Sequence, residues 1–357
     1  MAMARWSLLT PVAAVVLLGA SLLLPLGAVL TVACVAALFG AVFASVHHAE
    51  VVAHKVGEPF GTLVLALAIT VIEAALILSL MAAGGAATAA LPRDTVYAAI
   101  MIIVSGVVGI CLLVGGLRHH EQSFRPEGAN SALTALITLA GLTLILPGFT
   151  TSSPGPTYTE PQLLFAAVAS LVVWLVFVFV QTVRHRDYFL PRASAANGEH
   201  HAAPPSTALT WASFGLLMVS LVAVVGLAKV LSPGIEAALD AAGAPKSVIG
   251  IAIAMLVLLP ETWAAVRAAL ANRLQTSLNL ALGSALATIG LTIPVVAVAA
   301  VWLHIPLVLG IASKDLVLLV LTFLVSAITL SSGRTHMMQG AILLVLFATF
   351  VFLAFIP

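Results

Sequence analysis

Apolar runs of about 20 residues recur along the whole chain, and short polar stretches with most of the charged residues separate them. A transmembrane helix needs about 20 consecutive apolar residues, whereas a membrane β-strand alternates apolar and polar positions over about ten. Because the runs are continuous, the pattern predicts an all-α polytopic membrane protein with eleven transmembrane helices. The predicted spans are 6–24, 26–46, 59–83, 95–117, 128–147, 160–183, 208–230, 246–268, 273–301, 305–330 and 336–356.

The longest polar stretch follows the sixth span and divides the chain into two halves. With the first span set aside, each half contains five spans. The predicted domains are an extra N-terminal transmembrane helix (1–24), a first five-helix repeat (25–183), a cytoplasmic polar linker (184–207) and a second five-helix repeat (208–357).

Arginine and lysine concentrate on the cytoplasmic side of membrane proteins, so their positions predict the orientation. With the N-terminus in the cytoplasm, ten of the fourteen fall on the inner side and four on the outer side. This distribution predicts an inner N-terminus and an outer C-terminus. Five spans per half then give the halves opposite polarity, so we expect inverted repeats, a transporter plan with its binding site near the membrane centre.

Composition agrees with a membrane protein. Apolar residues make up 62% of the chain and charged residues 8%, whereas soluble domains have about 25% charged residues. The net charge of +1 and the lack of a basic stripe predict no nucleic-acid partner. Cys34 and Cys111 lie within apolar runs, which favours small buried side chains over a disulfide.

Glu73 and Glu261 are the acidic residues in the middle of long apolar runs, one in each half. An ionised carboxylate at this depth costs on the order of 3 kcal/mol on insertion scales. We therefore expect another interaction to offset that cost and predict that both glutamates bind a transported cation and protons. The alternative is a pair of structural carboxyl groups bonded to their neighbours.

Residues beside the glutamates are candidates for further ligands. Thr70 lies three residues before Glu73 and shares its helical face. Pro260 directly precedes Glu261, and a proline within a helix cannot donate to the carbonyl four residues back, that of Leu256. We therefore predict a helix break at Pro260, with a freed carbonyl that suits a hard cation.

Neighbouring spans add hydroxyl and amide oxygens. Ser105 in the fourth span and Ser284 in the ninth lie beside glycines, and Asn279 lies five residues before Ser284. The two serines are candidate secondary ligands. Small residues also let helices approach closely, and that packing role is the alternative for each serine.

Motifs of several enzyme classes are absent from the sequence, namely HExxH, the P-loop, Cys-x-x-Cys and Gly-x-Ser-x-Gly. The sequence therefore predicts a transporter and no enzyme, without a cofactor. Nine of the ten histidines fall in or beside predicted cytoplasmic connections, where a solvated role is more usual than pH sensing or weak metal binding.

The two carboxylates imply a rule for exchange. An empty site carries two negative charges, whereas one divalent cation or two protons make it neutral and able to reorient. The predicted function is Ca²⁺ export in exchange for about two H⁺ by alternating access. Na⁺ or K⁺ bound with one proton gives the same neutral total, so a monovalent cation/proton antiporter stays an alternative. A more distant alternative is a membrane scaffold that transports nothing.

Three segments resemble a known family. GEPFGTLVLALAITVIEAALILSLM (Gly57 to Met81) and RAALANRLQTSLNLALGSALATIGLTIPV (Arg267 to Val295) resemble bacterial calcium/proton antiporters of the ChaA type. These form part of the cation/proton branch of the sodium–calcium exchanger superfamily. GGLRHHEQSF (Gly115 to Phe124) is similar to a connection in the same branch.

The resemblance implies an eleven-helix fold in a bacterial inner membrane, with the ion between helices 3, 4, 8 and 9. The orientation predicted from arginine and lysine then gives a cytoplasmic N-terminus and a periplasmic C-terminus. By position, Glu73 and Glu261 match the ion- and proton-binding glutamates, and Ser105 and Ser284 match small hydroxyl residues. Thr70 stands where the wider family has asparagine. Two amide ligands are absent from this chain, one in each half.

Overall fold

The computed structural model describes residues 5–57, 60–190, 205–241, 245 and 247–356. Eleven long helices lie in these ranges, which confirms the predicted all-α fold. Ten of the helices are long and apolar enough to cross a membrane, and the third contains a shorter apolar segment, Leu67–Ala82. The helices are α1 (Arg5–Leu23), α2 (Ala28–Val56), α3 (Phe60–Gly84), α4 (Leu91–His119), α5 (Pro126–Gly148), α6 (Glu160–Arg184), α7 (Thr207–Ala241), α8 (Ser247–Leu270), α9 (Leu274–Leu303), α10 (Ser313–Ser331) and α11 (Met337–Phe355).

The chain forms two compact units. Unit 1 consists of Met1–Thr88 and His200–Lys246, and unit 2 consists of Ala89–Glu199 and Ser247–Pro357. The predicted linker contributes Arg184 to Leu190 to the described part of unit 2, and its residues 191–204 lie outside the described residues. The division into an N-terminal helix and two repeats stays a prediction.

Unit 1 contains α1, α2, α3 and α7. The helix α2 packs along α7 and also contacts α1 and α3. At Gly226 of α7 an added Cβ would lie 2.4 Å from a methyl group of Leu18 on α1, so α1 and α7 approach closely at this point. The buried ring of His48 forms a hydrogen bond of 2.8 Å with the Ser7 carbonyl and joins α2 to α1.

Unit 2 is built around α4, whose residues 95–109 are buried throughout. The helix α4 packs against α8 and α11, α9 packs against α8, α5 and α6, and α10 packs against α5 and α11. Segments of π-helix interrupt α4 at Ile102–Val107 and α9 at Thr288–Thr292. Such π segments occur often at functional sites.

The connections of unit 2 gather at two ends. At one end, β1 (Glu121–Ser123) pairs antiparallel with β2 (Arg334–His336), so the α4–α5 and α10–α11 connections lie together. The α8–α9 turn contacts the same connection through Ala269, whose carbonyl accepts a bond from Gln122. These three connections follow the fourth, eighth and tenth spans, and a chain that crosses the membrane at every span has them all on the same side. That this side is the cytoplasm stays a prediction.

The opposite end contains the largest difference from the predicted spans within unit 2. In unit 1, α2 and α7 continue to Val56 and Ala241, past the predicted span ends at 46 and 230. The tenth span was expected from residue 305, but α10 begins at Ser313. Residues 305–312 are not helical, and their N–H groups bond to other segments: Val308 to the Ala89 carbonyl and Gly310 to the Pro156 carbonyl, both at 3.0 Å. These bonds to other segments replace those of a helix, and Leu309 of this stretch is buried in unit 2.

Candidate functional site

Glu261 lies on α8, between α4 and α9, and its side chain is partly buried. The Ser284 hydroxyl on α9 donates a hydrogen bond to Glu261 Oε2. A hydrogen bond to an ionised carboxylate is among the stronger ones in proteins, because the acceptor carries full charge. The structure therefore brings together the two residues predicted for the second half of the chain.

A small cavity, with room for about one water molecule, adjoins this pair. Its walls are mostly apolar, and its polar groups are one carboxylate and two hydroxyls. A carboxylate in such surroundings gains most from a cation or a proton, since little water is present to solvate its charge. The lining residues are Ile103, Val107, Leu258, Glu261, Thr262, Ala281 and Ser284.

Pro260 corrects one prediction. The helix α8 runs without a break from Ser247 to Leu270, so the expected helix break is wrong. Proline removes only the bond that its own N–H would donate to Leu256, and the remaining bonds of a helix within a membrane protein are enough to continue it. The hydroxyl of Thr262 also donates 2.8 Å to the Leu258 carbonyl on the same helix.

Ser105 lies in the π segment of α4 and is fully buried. Its hydroxyl donates 2.5 Å to the Met101 carbonyl of its own helix. Two other residues of the α4 face, Ile103 and Val107, line the cavity next to Glu261. A direct ligand role for Ser105 stays a prediction.

Glu73 and Thr70 belong to unit 1, on α3. Both are buried, with 2% and 3% of their surface exposed, and they share a face with the buried Ile77. This helix packs against α2 and α7. A carboxylate therefore lies within the apolar interior of unit 1 as well, which is the placement expected of a site residue.

Asn279 has a structural role that its sequence position did not indicate. Its amide nitrogen donates 2.5 Å to the Phe189 carbonyl, and its amide oxygen accepts 2.9 Å from Gln275. The nitrogen and the oxygen of the Asn279 side chain are therefore both hydrogen-bonded to residues outside the cavity lining. Within the described ranges, no three His, Cys, Asp or Glu side chains come together as a resident metal site.

Thr262 and the π segments were missed by the sequence reasoning. Thr262 lines the cavity and directly follows Glu261 in the sequence. Its position next to the candidate glutamate could have marked it as a site residue. The π segments of α4 and α9 follow or contain glycines, at Gly106 and Gly290, but glycine alone is too common in membrane helices to predict them.

The chain has relatives among known protein families and known proteins. The family described as sodium/calcium exchanger protein matches residues 26–183 and 212–356. A putative ionic transporter, y4hA of Sinorhizobium fredii, is 49% identical over 90% of this chain and 87% of its own length. The sodium-potassium/proton antiporter ChaA of Escherichia coli is 35% identical over 98% of this chain and 96% of its own length.

Solved structures show the same fold at low sequence identity. Native YfkE superposes with a TM-score of 0.72 at 16% identity, covering 99% of this chain and all of that one. The H⁺/Ca²⁺ exchanger CAX gives a TM-score of 0.70 at 12% identity, covering 98% and 89% of the two chains. The chain is therefore a multi-pass membrane protein that belongs to the sodium/calcium exchanger family, in the cation/proton antiporter branch that includes ChaA.

Proposed function

We propose that this protein exports Ca²⁺ from the bacterial cytoplasm in exchange for H⁺ by alternating access across the inner membrane. Glu73 and Glu261 bind the cation and the protons in turn. The observation that carries the proposal is the position of the Glu261 carboxylate. It accepts a hydrogen bond from the Ser284 hydroxyl and adjoins a cavity with apolar walls. The N-terminus is proposed to be cytoplasmic and the C-terminus periplasmic.

Charge explains why such a site exchanges ions and does not leak them. Two ionised carboxylates without a cation carry a charge of −2, and moving that charge through an apolar barrier costs several kcal/mol, roughly 3 for each charge. One Ca²⁺ or two protons cancel the charge. Only the loaded forms therefore reorient readily, which couples export of one ion to entry of the other.

Ser284 is proposed to orient the Glu261 carboxylate toward the cation. We expect Ser284→Ala to raise the apparent KM for the cation about tenfold, because a hydrogen bond to a charged group contributes about 1.5 kcal/mol or more. The measurement is initial uptake into everted vesicles at several cation concentrations. Ser220→Ala is the matched control, since that hydroxyl donates to the Leu216 carbonyl of its own helix. A wild-type KM for Ser284→Ala would contradict the orienting role.

A monovalent cargo is the second candidate. The 35% identical relative is named a sodium-potassium/proton antiporter, and this chain lacks the two amide ligands of the wider family. Calcium takes six to eight oxygen ligands, and two carboxylates supply at most four. One Na⁺ or K⁺ with one proton neutralises the same two carboxylates.

A cation-addition experiment separates the candidates. Everted vesicles from cells that overproduce the protein carry an imposed pH gradient, and Ca²⁺, Na⁺, K⁺ or Mg²⁺ is added separately. We expect Ca²⁺ to dissipate the gradient and Mg²⁺ to have little effect, because Mg²⁺ holds its waters and requires a tighter octahedron. A response to Na⁺ or K⁺ alone supports the second candidate. No response to any cation contradicts antiport and supports a scaffold.

A further inference from the structure

A short turn joins α8, which contains Glu261, to α9, which contains Ser284. Glu261 lies nine residues before the end of α8 at Leu270, and Ser284 lies ten residues after the start of α9 at Leu274. With a rise of 1.5 Å per residue, both lie roughly 14 to 15 Å from the turn. Their hydrogen bond therefore requires that the turn hold the two helices in register.

The end of α8 has the geometry of a Schellman cap. Asn272 has a positive φ of 59°, and the Arg273 N–H donates 2.9 Å to the Ala268 carbonyl. Asparagine is one of the few residues that take this backbone conformation readily. Within the cap, the Ala269 carbonyl accepts the Asn272 N–H at 3.0 Å, and its second lone pair can accept a donor from another segment.

Side chains from the end of α4 and from residues 120–125, which connect α4 to α5, supply those donors. The Gln122 amide nitrogen donates 2.9 Å to the Ala269 carbonyl and 3.0 Å to the Asn272 side-chain oxygen. His119 Nε2 lies 2.9 Å from the Leu270 carbonyl. Both hydrogens of the Gln122 amide are thus directed at the turn.

The same connection also holds the α9 side of the turn. The backbone N–H of Arg125 donates 2.7 Å to the side-chain oxygen of Gln275, in the first turn of α9. The connection therefore bonds to the last residues of α8 and to the first residues of α9, and it can hold the angle between them.

The connection is itself well anchored. It pairs with β2 on its other edge, and the Phe124 N–H donates 3.0 Å to the Gly333 carbonyl. Gln122 is 2% exposed, and an added Cβ on Gly115 would lie 1.8 Å from its side-chain oxygen. A glycine at 115 therefore makes the space that the Gln122 side chain fills.

We propose that Gln122 is a positioning residue for cation binding. Its amide holds the α8–α9 turn and thereby keeps Glu261 and Ser284 in hydrogen-bonding register, although Gln122 itself does not line the cavity. The proposal rests on the proposed function, since it takes this pair as part of the cation site. It also gives a physical role to the segment Gly115 to Phe124, which the exchange mechanism alone leaves unexplained.

Gln122→Met tests the proposal, because methionine has a similar length and volume but no donor. We expect the apparent KM of ⁴⁵Ca²⁺ or ²²Na⁺ uptake, whichever ion the wild type transports, to rise at least about fivefold. About fivefold is the typical effect of one lost hydrogen bond, and methionine removes two. Glu121→Gln is the control next to it: its ion pair with Arg334 is exposed, and such pairs contribute little. A purely structural role lowers the amount of protein and the maximal rate and leaves KM unchanged, and that result overturns the proposal.

Gly115→Ala disturbs the same hydrogen bonds without changing Gln122, because the added Cβ displaces the Gln122 side chain. We expect the same rise in KM, whereas Gly141→Ala, whose Cβ would meet nothing within 4 Å, keeps the wild-type value. If Gln122→Met does not accumulate in the membrane, a wild-type KM for inserted Gly115→Ala overturns the proposal.

Hydrogen–deuterium exchange separates this proposal from the transport function. In the purified full-length protein, we expect residues 268–276 to exchange faster in Gln122→Met or Gly115→Ala than in the wild type. Equal exchange contradicts the positioning role even if no cation is transported. Conversely, transport by the wild type that Glu261→Gln abolishes supports the proposed function, and a wild-type KM for Gln122→Met then removes only the positioning proposal.

Discussion

Glutamine in place of Glu261 or of Glu73 should abolish Ca²⁺/H⁺ exchange and leave the protein inserted. With one carboxylate removed, the Ca²⁺-loaded site keeps a net charge of +1 and cannot become neutral. An uncompensated charge at the membrane centre costs about 3 kcal/mol, which corresponds to a roughly 100-fold slower crossing. The measurement is initial ⁴⁵Ca²⁺ uptake into everted vesicles, with the inserted protein quantified in the membrane fraction.

Glu160→Gln is the matched control, because Glu160 lies exposed at the start of α6. This variant should transport at the wild-type rate. Wild-type uptake in either Glu73→Gln or Glu261→Gln would rule out a mechanism in which both carboxylates bind the cation.

Valine in place of Gly340 should prevent unit 2 from folding and reduce the inserted protein more than about tenfold, which corresponds to a loss of more than 1.4 kcal/mol. Gly340 lies where α11 crosses α4, and an added Cβ would lie 2.3 Å from the Leu113 nitrogen and 2.7 Å from the Gly109 carbonyl oxygen. Both contacts are backbone atoms of a buried helix, so no side chain can rotate away. Close packing at small residues is a main source of association between membrane helices.

The amount of folded protein is measured by fluorescence-detected size-exclusion chromatography of a fusion to a fluorescent protein. Gly215→Val on the exposed face of α7 is the control, since its Cβ would meet nothing within 4 Å. Equal amounts of the Gly340 and Gly215 variants would show that the α4–α11 crossing tolerates a side chain at this point.

Most of the fold was predictable because the membrane imposes a local rule. Every backbone polar group must be bonded within the span, so a long apolar run becomes a helix. The rule failed at 305–312, where apolar residues form non-helical chain bonded to Ala89, Leu144 and Pro156. Hydropathy cannot distinguish this segment from a helix, because it counts apolar residues and not the partners of their N–H groups.

The candidate site was predictable to the extent that its chemistry is local. The cost of a buried charge makes Glu73 and Glu261 the candidates from their positions within apolar runs, and their role as ion ligands stays a prediction. The sequence named Glu261 and Ser284 as candidates in separate spans, because one is a buried carboxylate and the other a hydroxyl beside a glycine. The hydrogen bond between them shows that the two side chains meet. Pro260 misled the prediction, since one lost hydrogen bond does not end a helix.

Residues that act over long sequence separations were not predictable. Gln122 bonds to residues about 150 positions away, at Ala269 and Asn272. Asn279 seemed a candidate oxygen donor near the ion, but it bonds to Phe189 at the start of the linker. The grouping of α7 with α1, α2 and α3 in unit 1 likewise depends on tertiary contacts that no local pattern contains.

The net charge moved per cycle tests the central claim most directly. Purified protein in liposomes is given a fixed pH gradient, and a potassium diffusion potential of either sign is imposed with valinomycin when Ca²⁺ or Na⁺ is the cargo. If the two carboxylates must be neutral to reorient, the cycle moves no net charge, and the initial rate of exchange should be the same at both signs of the potential. A rate that rises with one sign and falls with the other would show that a charged site crosses the membrane, and it would contradict the account.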